Sequence, residues 1–352
     1  MGKSKFNGIK VKGISGVVPQ KKIVNLQAHP ELAVSEKKKT IKLTGVNEYR
    51  KASIDVCASD LCQKAAENLF ETLNISPSTV DAILFVSQTP DHRLPSTACI
   101  LQDKLSCSTS TIAFDINLGC SGFVYGLCTA CSLIQGGGLK RVLLLCGDTQ
   151  TKLCHDGDKN VNFILGDAGT ATIIDQEDGA PEINMELMTD GSRYDKLIVP
   201  AGGFRMPSTE DTRKLIKQVD GGVRSLEHIT MSGMEIFNFS VTDVVKSIHN
   251  FMKEENLDEK NTDYLILHQA NKFMTDKIAR KLKFPLDKVP YSLGLFGNTS
   301  CASIPLTIAY HFSQMEKIGK KKCLLSGFGV GLSWGVIDII FDNILCPAIG
   351  EL

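Results

Sequence analysis

Short unbroken apolar runs, each stopping at a polar or glycine residue, set the rhythm of this chain. They occur in DAILFVSQ (81–88), LKRVLLLCGD (139–148), DYLILHQA (263–270) and GKKKCLLSGF (319–328). Runs of this kind, without strict alternation, belong to strands covered on both faces. Between them, CSGFVYGLCTACSLIQGGG from Cys120 and CASIPLTIAYHFSQMEKIG from Cys301 carry apolar residues at helical spacing. Helices at 59–73 and 242–255 precede the strands of each half.

These elements come in pairs. Asp81 and Asp263 stand 182 residues apart, Cys120 and Cys301 181, and Arg141 and Lys322 181. A near-constant offset over three landmarks is the signature of an internal repeat. The chain therefore reads as an α/β protein built from a duplicated strand–helix–strand unit. GDAGTATIIDQEDGAPEI reads as a strand running into a turn-rich link, which puts the division near residue 175: one lobe over 1–175, a second over 176–352. TPDHRLPSTA (89–98) is a proline-marked excursion before a helix, and the polar stretch 203–226, with Gly221 and Gly222, reads as a mobile surface loop.

Composition narrows the function. With 39 basic and 39 acidic residues the formal charge is zero, whereas a nucleic-acid binder usually carries a basic excess. No apolar run approaches the ~20 residues of a membrane span, and MGKSKFNGIKVKG lacks the apolar core of a secretory signal. Phe6 stands where a myristoylation signal wants Ser or Thr. The 12 cysteines lie scattered among Leu, Ala and Val, which reads as reduced core thiols in a cytoplasmic protein. Neither the Cys128/Cys131 pair nor CHD at 154–156 has a matching ligand pair, so no metal is expected.

The candidate chemistry gathers where apolar strands give way to helices. Cys120, in INLGCSGFVYG, reads either as a small core residue or as a nucleophile. Glycine before it leaves room for a thioester carbonyl, and a helix N-terminus would lower its pKa from ~8.5 toward ~3.5–7.5. His268, in LILHQANK, is a satisfied core histidine or an active-site group, since strand ends are where sites collect. Asn298, in FGNTSCAS, is a turn cap or a hydrogen-bond donor. Together the three make a thiol site in which imidazole and carboxamide both donate to a developing enolate oxygen, which suits carbon–carbon bond formation better than proteolysis. GFGVGLSWG (327–335) follows a strand with no helix after it, so it is not a dinucleotide fingerprint, although its backbone N–H groups could approach Cys120.

At this point the chain resembles a known family. CSGFVYGL, HQAN, GNTSCASIPL, PSTAC (95–99), LGDAGTA (165–171), DGS (190–192) with PAGG (200–203), and GFGVGLSWG stand in the order of the 3-oxoacyl-(acyl-carrier-protein) synthase III family, of the thiolase-like superfamily. The resemblance spans nearly the whole chain. It implies a thiolase-like fold of five α-β-α-β-α layers and a homodimer. It implies an acyltransferase in which Cys120 takes an acyl group from acyl-coenzyme A or an acyl carrier, with the N–H groups of Cys120 and Val330 as oxyanion hole. His268 and Asn298 would then hold malonyl-carrier protein while it loses carbon dioxide, Phe328 would shape the malonyl pocket, and Leu94 would reach the partner's acyl pocket. Coenzyme A and phosphopantetheine thioesters enter as substrates, with no bound cofactor.

The departures from the family lie at the donor site. Lys39 and Lys159 stand where a Trp and an Arg usually stack on the adenine, the one tryptophan being Trp334 of the glycine motif. Two lysines cannot form that stack, though both could contact phosphates. Met234 replaces a frequent Asn, and Asn47 a usual Arg. A relative that passes the acyl group to a hydroxyl or an amine is therefore the alternative reading, and a non-catalytic carrier-binding protein a third. Lys272, Lys277, Arg280 and Lys281, after HQAN, read either as a docking surface for an acidic carrier protein or as an ordinary solvated face.

Overall fold

The computed structural model describes residues 2–30, 32–159, 161–219 and 221–352. The strands that build its two main sheets are, in chain order, β1 (Gly2–Phe6), β2 (Ile9–Val18), β3 (Ala82–Val86), β4 (Ile112–Ile116), β5 (Arg141–Asp148) and β6 (Ala168–Gln176). They continue with β7 (Ile183–Thr189), β8 (Tyr264–Leu267), β9 (Lys320–Gly329), β10 (Ser333–Asp342) and β11 (Gly350–Glu351). The first sheet has the order β11-β2-β6-β5-β3-β4, and the second β1-β7-β10-β9-β8.

The repeat is visible in the pairing. β3 lies parallel to β5, which lies antiparallel to β6; β8 lies parallel to β9, which lies antiparallel to β10. The apolar runs explain why these strands are central. All five residues of β3 and the last three of β8 are buried, since each has a helix layer on both sides.

The helix α1 (Val34–Thr44) ends at Gly45 against Lys272, and α2 (Ala58–Leu73) and α3 (Thr97–Lys104) cover the outer face of the first sheet. The helices α4 (Gly122–Gly137) and α8 (Ser303–Phe312) lie between the sheets, in one apolar core with residues of both. The outer face of the second sheet is covered by α5 (Gly233–Phe239), α6 (Val245–Glu254) and α7 (Lys272–Lys281). The result is the five-layer α-β-α-β-α arrangement that the resemblance implied. Its middle layer explains the composition of α4 and α8, which are apolar on nearly every side because a sheet lies on each face.

Three features differ from the sequence reading. First, the termini change places: β1, from the first 175 residues, edges the second sheet, and β11, at the end of the chain, edges the first. Both are short and polar, and nothing in their apolar pattern says which sheet they join. Second, the helix expected over 242–255 starts earlier, since α5 runs through a π-helical segment, Ser240–Val244, into α6. Third, the stretch 203–226 is not a bare loop but carries a short helix, Glu210–Arg213, and a small hairpin pairing Ile216–Lys217 with Val223–Arg224. Among the described residues no helix is long and apolar enough to cross a membrane.

Candidate active site

The seam between the lobes is built from the strand ends and helix starts that the repeat brings face to face. Cys120 sits in the turn that enters α4, and Gly122 N–H closes that turn on Gly119 O at 2.6 Å. The end of β9 passes directly behind it. A Cβ on Gly329 would lie 2.6 Å from Cys120 Cβ and 2.9 Å from its Sγ, so no side chain fits there. With the backbone this close, the N–H groups of Val330 and of Cys120 itself both act on the sulfur. The following turn is pinned to the head of α4, because Ser121 Oγ meets Ser333 Oγ at 2.6 Å and Ser333 Oγ donates to Val330 O at 2.6 Å.

His268 continues β8 by one residue, its N–H donating to Ser326 O at 2.8 Å. Its ring stands edge-on to Phe328, with centroids 5.5 Å apart and planes at 89°, and Nδ1 lies 2.7 Å from Ser303 Oγ at the start of α8. Asn298 occupies a turn gripped by the first lobe. Its N–H donates to Ile164 O at 2.7 Å, and its carbonyl accepts from Gly166 N–H at 3.0 Å. Its Oδ1 accepts from Ser300 N–H at 2.9 Å, which leaves the amide NH2 as the donating end of the side chain.

Ser300 joins these three groups, and the sequence reading missed it. Its N–H holds Asn298, its carbonyl bears on the His268 imidazole, and its buried Oγ lies between the Cys120 thiol and the Asp148 carboxylate without a well-formed hydrogen bond to either. It does so at φ +54°, a left-handed backbone that only the surrounding turn enforces on a serine. The signal was present: NLGC at 117–120 and NTSC at 298–301 align at the 181-residue offset, with Gly119 opposite Ser300.

The electrostatics correct one expectation. The helix N-terminus was expected to lower the Cys120 pKa, but burial, with the Asp148 charge adding to it, pushes the thiol up to about 12 against the opposing pull of the Val330 and Cys120 amides. Desolvation outweighs the dipole because Cys120 lies below the rim of the seam, only 8% exposed. Burial likewise pulls His268 down to about 3, so its imidazole is neutral at working pH.

The remaining candidates lie outside this cluster. Leu94 is 81% exposed on the 89–98 excursion. Lys39 is exposed on α1, and Lys159 reaches Glu36 of the same helix at 3.7 Å. On α7, Lys272 is engaged by both Asp276 oxygens at 2.8 Å and lies over the Tyr291 ring, and Lys281 donates to Val241 O at 2.8 Å. Lys277 and Arg280 point outward. Trp334 donates to Ser247 Oγ at 2.8 Å and packs on Phe239, which makes it a packing residue of the second sheet. No group of three or more His, Cys, Asp or Glu suited to a metal occurs among the described residues.

Comparison with known proteins adds the following. Residues 114–191 match the family model of 3-oxoacyl-[acyl-carrier-protein (ACP)] synthase III, and residues 252–339 the model of its C-terminal part. A Campylobacter jejuni protein provisionally named 3-oxoacyl-[acyl-carrier-protein] synthase 3 is 36% identical over 347 residues, covering 97% of this chain and 96% of its own. A beta-ketoacyl-[acyl-carrier-protein] synthase III of Caldanaerobacter subterraneus is 33% identical over 92% of this chain and 94% of its own. The crystal structure of a 3-oxoacyl-(acyl-carrier protein) synthase from Burkholderia xenovorans superposes with a TM-score of 0.93 at 36% identity, covering 99% of each chain.

Proposed function

The chain belongs to the 3-oxoacyl-[acyl-carrier-protein] synthase III family of condensing enzymes, and on that premise we propose that it runs a decarboxylating Claisen condensation through an acyl-Cys120 intermediate. In the first half-reaction the Cys120 sulfur attacks the carbonyl of an acyl thioester. A new C–S bond forms, the donor C–S bond breaks, and the proton of Cys120 leaves with the departing thiol. The developing oxyanion is taken by the N–H groups of Cys120 and Val330, which already act on the sulfur in the resting site.

In the second half-reaction a malonyl thioester loses carbon dioxide, and its electron pair becomes an enolate. Two neutral donors receive the enolate oxygen, the Asn298 amide and the imidazole of His268. Because Ser303 engages Nδ1, Nε2 is the ring nitrogen left to face substrate. The enolate carbon attacks the acyl-Cys120 carbonyl, the cysteine leaves as a thiolate and regains a proton, and a 3-oxoacyl thioester departs. Phe328, edge-on to His268, shapes the malonyl side of the pocket.

The observation that carries this reading is the convergence of Cys120, His268 and Asn298 on Ser300. The substrates are thioesters of coenzyme A or phosphopantetheine, and the acceptor is a malonyl group on an acyl carrier protein. The enzyme works as a homodimer whose 89–98 excursions, with exposed Leu94, reach across to the partner's acyl pocket.

The test offers purified protein a panel of acyl donors with malonyl-carrier protein. Release of carbon dioxide with a 3-oxoacyl-carrier product is expected. An acyl-enzyme that discharges to alcohols or amines and never to the malonyl thioester would replace this reading with that of a heteroatom acyltransferase.

A further inference from the structure

Asp148 ends the central strand β5, is fully buried, and has no part in the condensation described above. Its Oδ1 accepts from Ser87 Oγ at 3.1 Å, Gln88 N–H at 2.8 Å and Thr89 Oγ1 at 3.1 Å. Its Oδ2 faces Cys301 Sγ at 3.4 Å, and Ser300 Oγ lies beside the carboxylate. Burial pushes the Asp148 carboxyl above its ordinary range, and the donors from Ser300, Gln88, Cys301 and Ser87 pull it back toward the charged form.

The repeat gives this position a meaning. Asp148 and Gly329 are 181 residues apart, as are Cys120 and Cys301. Gly329 therefore stands to Cys120 as Asp148 stands to Cys301, and the two strand ends meet across the same seam. Ser300 lies between them: its Oγ reaches toward both the carboxylate and the Cys120 sulfur, and its backbone holds His268 and Asn298.

We propose that Asp148 is a positioning residue of the condensing site. It anchors the Ser300–Cys301 turn that orients His268 and Asn298, and its charge adds to burial in holding resting Cys120 as the thiol until a thioester is bound. The Asp148 charge bears on the thiol from β5. The other titratable groups around the seam are His268 from the end of β8 and the thiols of Cys62 on α2, Cys146 on β5 and Cys301 before α8. The three thiols are pushed up by burial and His268 is held neutral, so none of them supplies the charge that Asp148 does.

The kinetic half of this inference rests on the condensing reading, but the ionisation half does not, so the two fail separately. Alkylation of Cys120 by iodoacetamide, followed across pH by peptide mass spectrometry, needs no substrate. Asp148→Asn keeps the shape and removes the charge, and the midpoint for Cys120 is expected to fall by about one pH unit. The same variant is expected to lose about tenfold in kcat for malonyl decarboxylation with KM little changed, as displacement of a donor in the transition state does. Ser300→Ala removes the hydroxyl beside the sulfur, whose presence favours the thiolate, and is expected to move the alkylation midpoint upward, which keeps the test open if Asp148→Asn does not fold. Cys301→Ala keeps the charge and is expected to leave the midpoint in place. A folded Asp148→Asn with an unmoved midpoint, or an unmoved midpoint in Ser300→Ala, overturns the proposal.

Discussion

Cys120 and Cys301 head the two helices of the middle layer, one in each lobe, at equivalent positions of the repeat. Around Cys120 the facing strand ends in Gly329, and the room this leaves brings two backbone N–H groups onto the sulfur. Around Cys301 the facing strand ends in Asp148; the thiol donates to Val86 O at 3.2 Å, lies against the carboxylate, and is 1% exposed. Burial and the Asp148 charge both push the Cys301 thiol well above its ordinary value. Two cysteines at the same place in the same fold thus have different surroundings, set by the residue that closes over them, and the proposed mechanism uses only the first. The same helix N-terminus leaves both thiols pushed up by burial, so the dipole alone does not set the state of either sulfur.

The largest effect should come from exchanging the two sulfurs for methyl groups. Cys120→Ala is expected to cost at least about a thousandfold in turnover and to abolish the acyl mass increment on the protein. Cys301→Ala should keep acylation within about threefold, because its thiol is buried against Val86 O and the Asp148 carboxylate. Equal losses in turnover would break the comparison.

A smaller effect should follow from closing the space that distinguishes the first half. Gly329→Ala places a Cβ where Cys120 Cβ and Sγ already lie within 3 Å, so something must shift. Acyl-enzyme formation is expected to slow about a hundredfold, the usual consequence of misplacing a reacting atom by about an ångström. Stopped-flow measurement of acylation checks it, and an unchanged rate would mean the sulfur is held from elsewhere.

The third effect separates the half-reactions. Asn298→Ala should slow decarboxylation of a malonyl thioester by about 10²–10³ while acylation of Cys120 continues, since in the proposed mechanism Asn298 serves the enolate and not the acyl group. Its counterpart in the first lobe, Asn117, gives the matched control: Asn117→Ala is expected to leave both steps within a few-fold.

The smallest effect is thermodynamic. His268 is neutral in the fold, with a pKa near 3, whereas the unfolded chain protonates it near ~6.5. Between those values the unfolded state binds more protons, so stability falls as pH drops through that window and is unaffected by this group above it. At the 182-residue offset of its strand the counterpart of His268 is Val86, which does not titrate. His268→Gln should remove the slope, so the stability difference between variant and parent should change by about 1.4 kcal/mol per pH unit below pH ~6.5, read from urea unfolding at a series of pH values. Taking the difference cancels the opposite contribution of Asp167, a buried carboxyl raised to about 6 that stabilises the fold on the acid side.

Much of this was legible in the residues. The three paired landmarks give the matching strands, and the apolar runs say that these strands are covered on both faces. The same landmarks put Cys120 at the head of a buried helix. The terminal strands were not legible, because β1 and β11 are short, polar and free to join either edge. The neutral state of Cys120 was not legible either, since burial depth depends on how close β9 passes and no local pattern reports that. Ser300 and Asp148 were legible in principle. Extending the repeat from the cysteines to their neighbours aligns Asn117 with Asn298 and Gly329 with Asp148. The two halves agree at Cys120/Cys301 and Asn117/Asn298 and part at Gly119/Ser300, Asp148/Gly329 and Val86/His268, so the surroundings of the two cysteines differ more than the cysteines do.

The most direct test is to incubate the protein with a limiting amount of acyl thioester and locate the acyl group by peptide mass spectrometry. The account predicts a single acylated peptide, the one containing Cys120, with the Cys301 peptide unmodified. Acyl label on Cys301, or turnover to product with no label on Cys120, would contradict it.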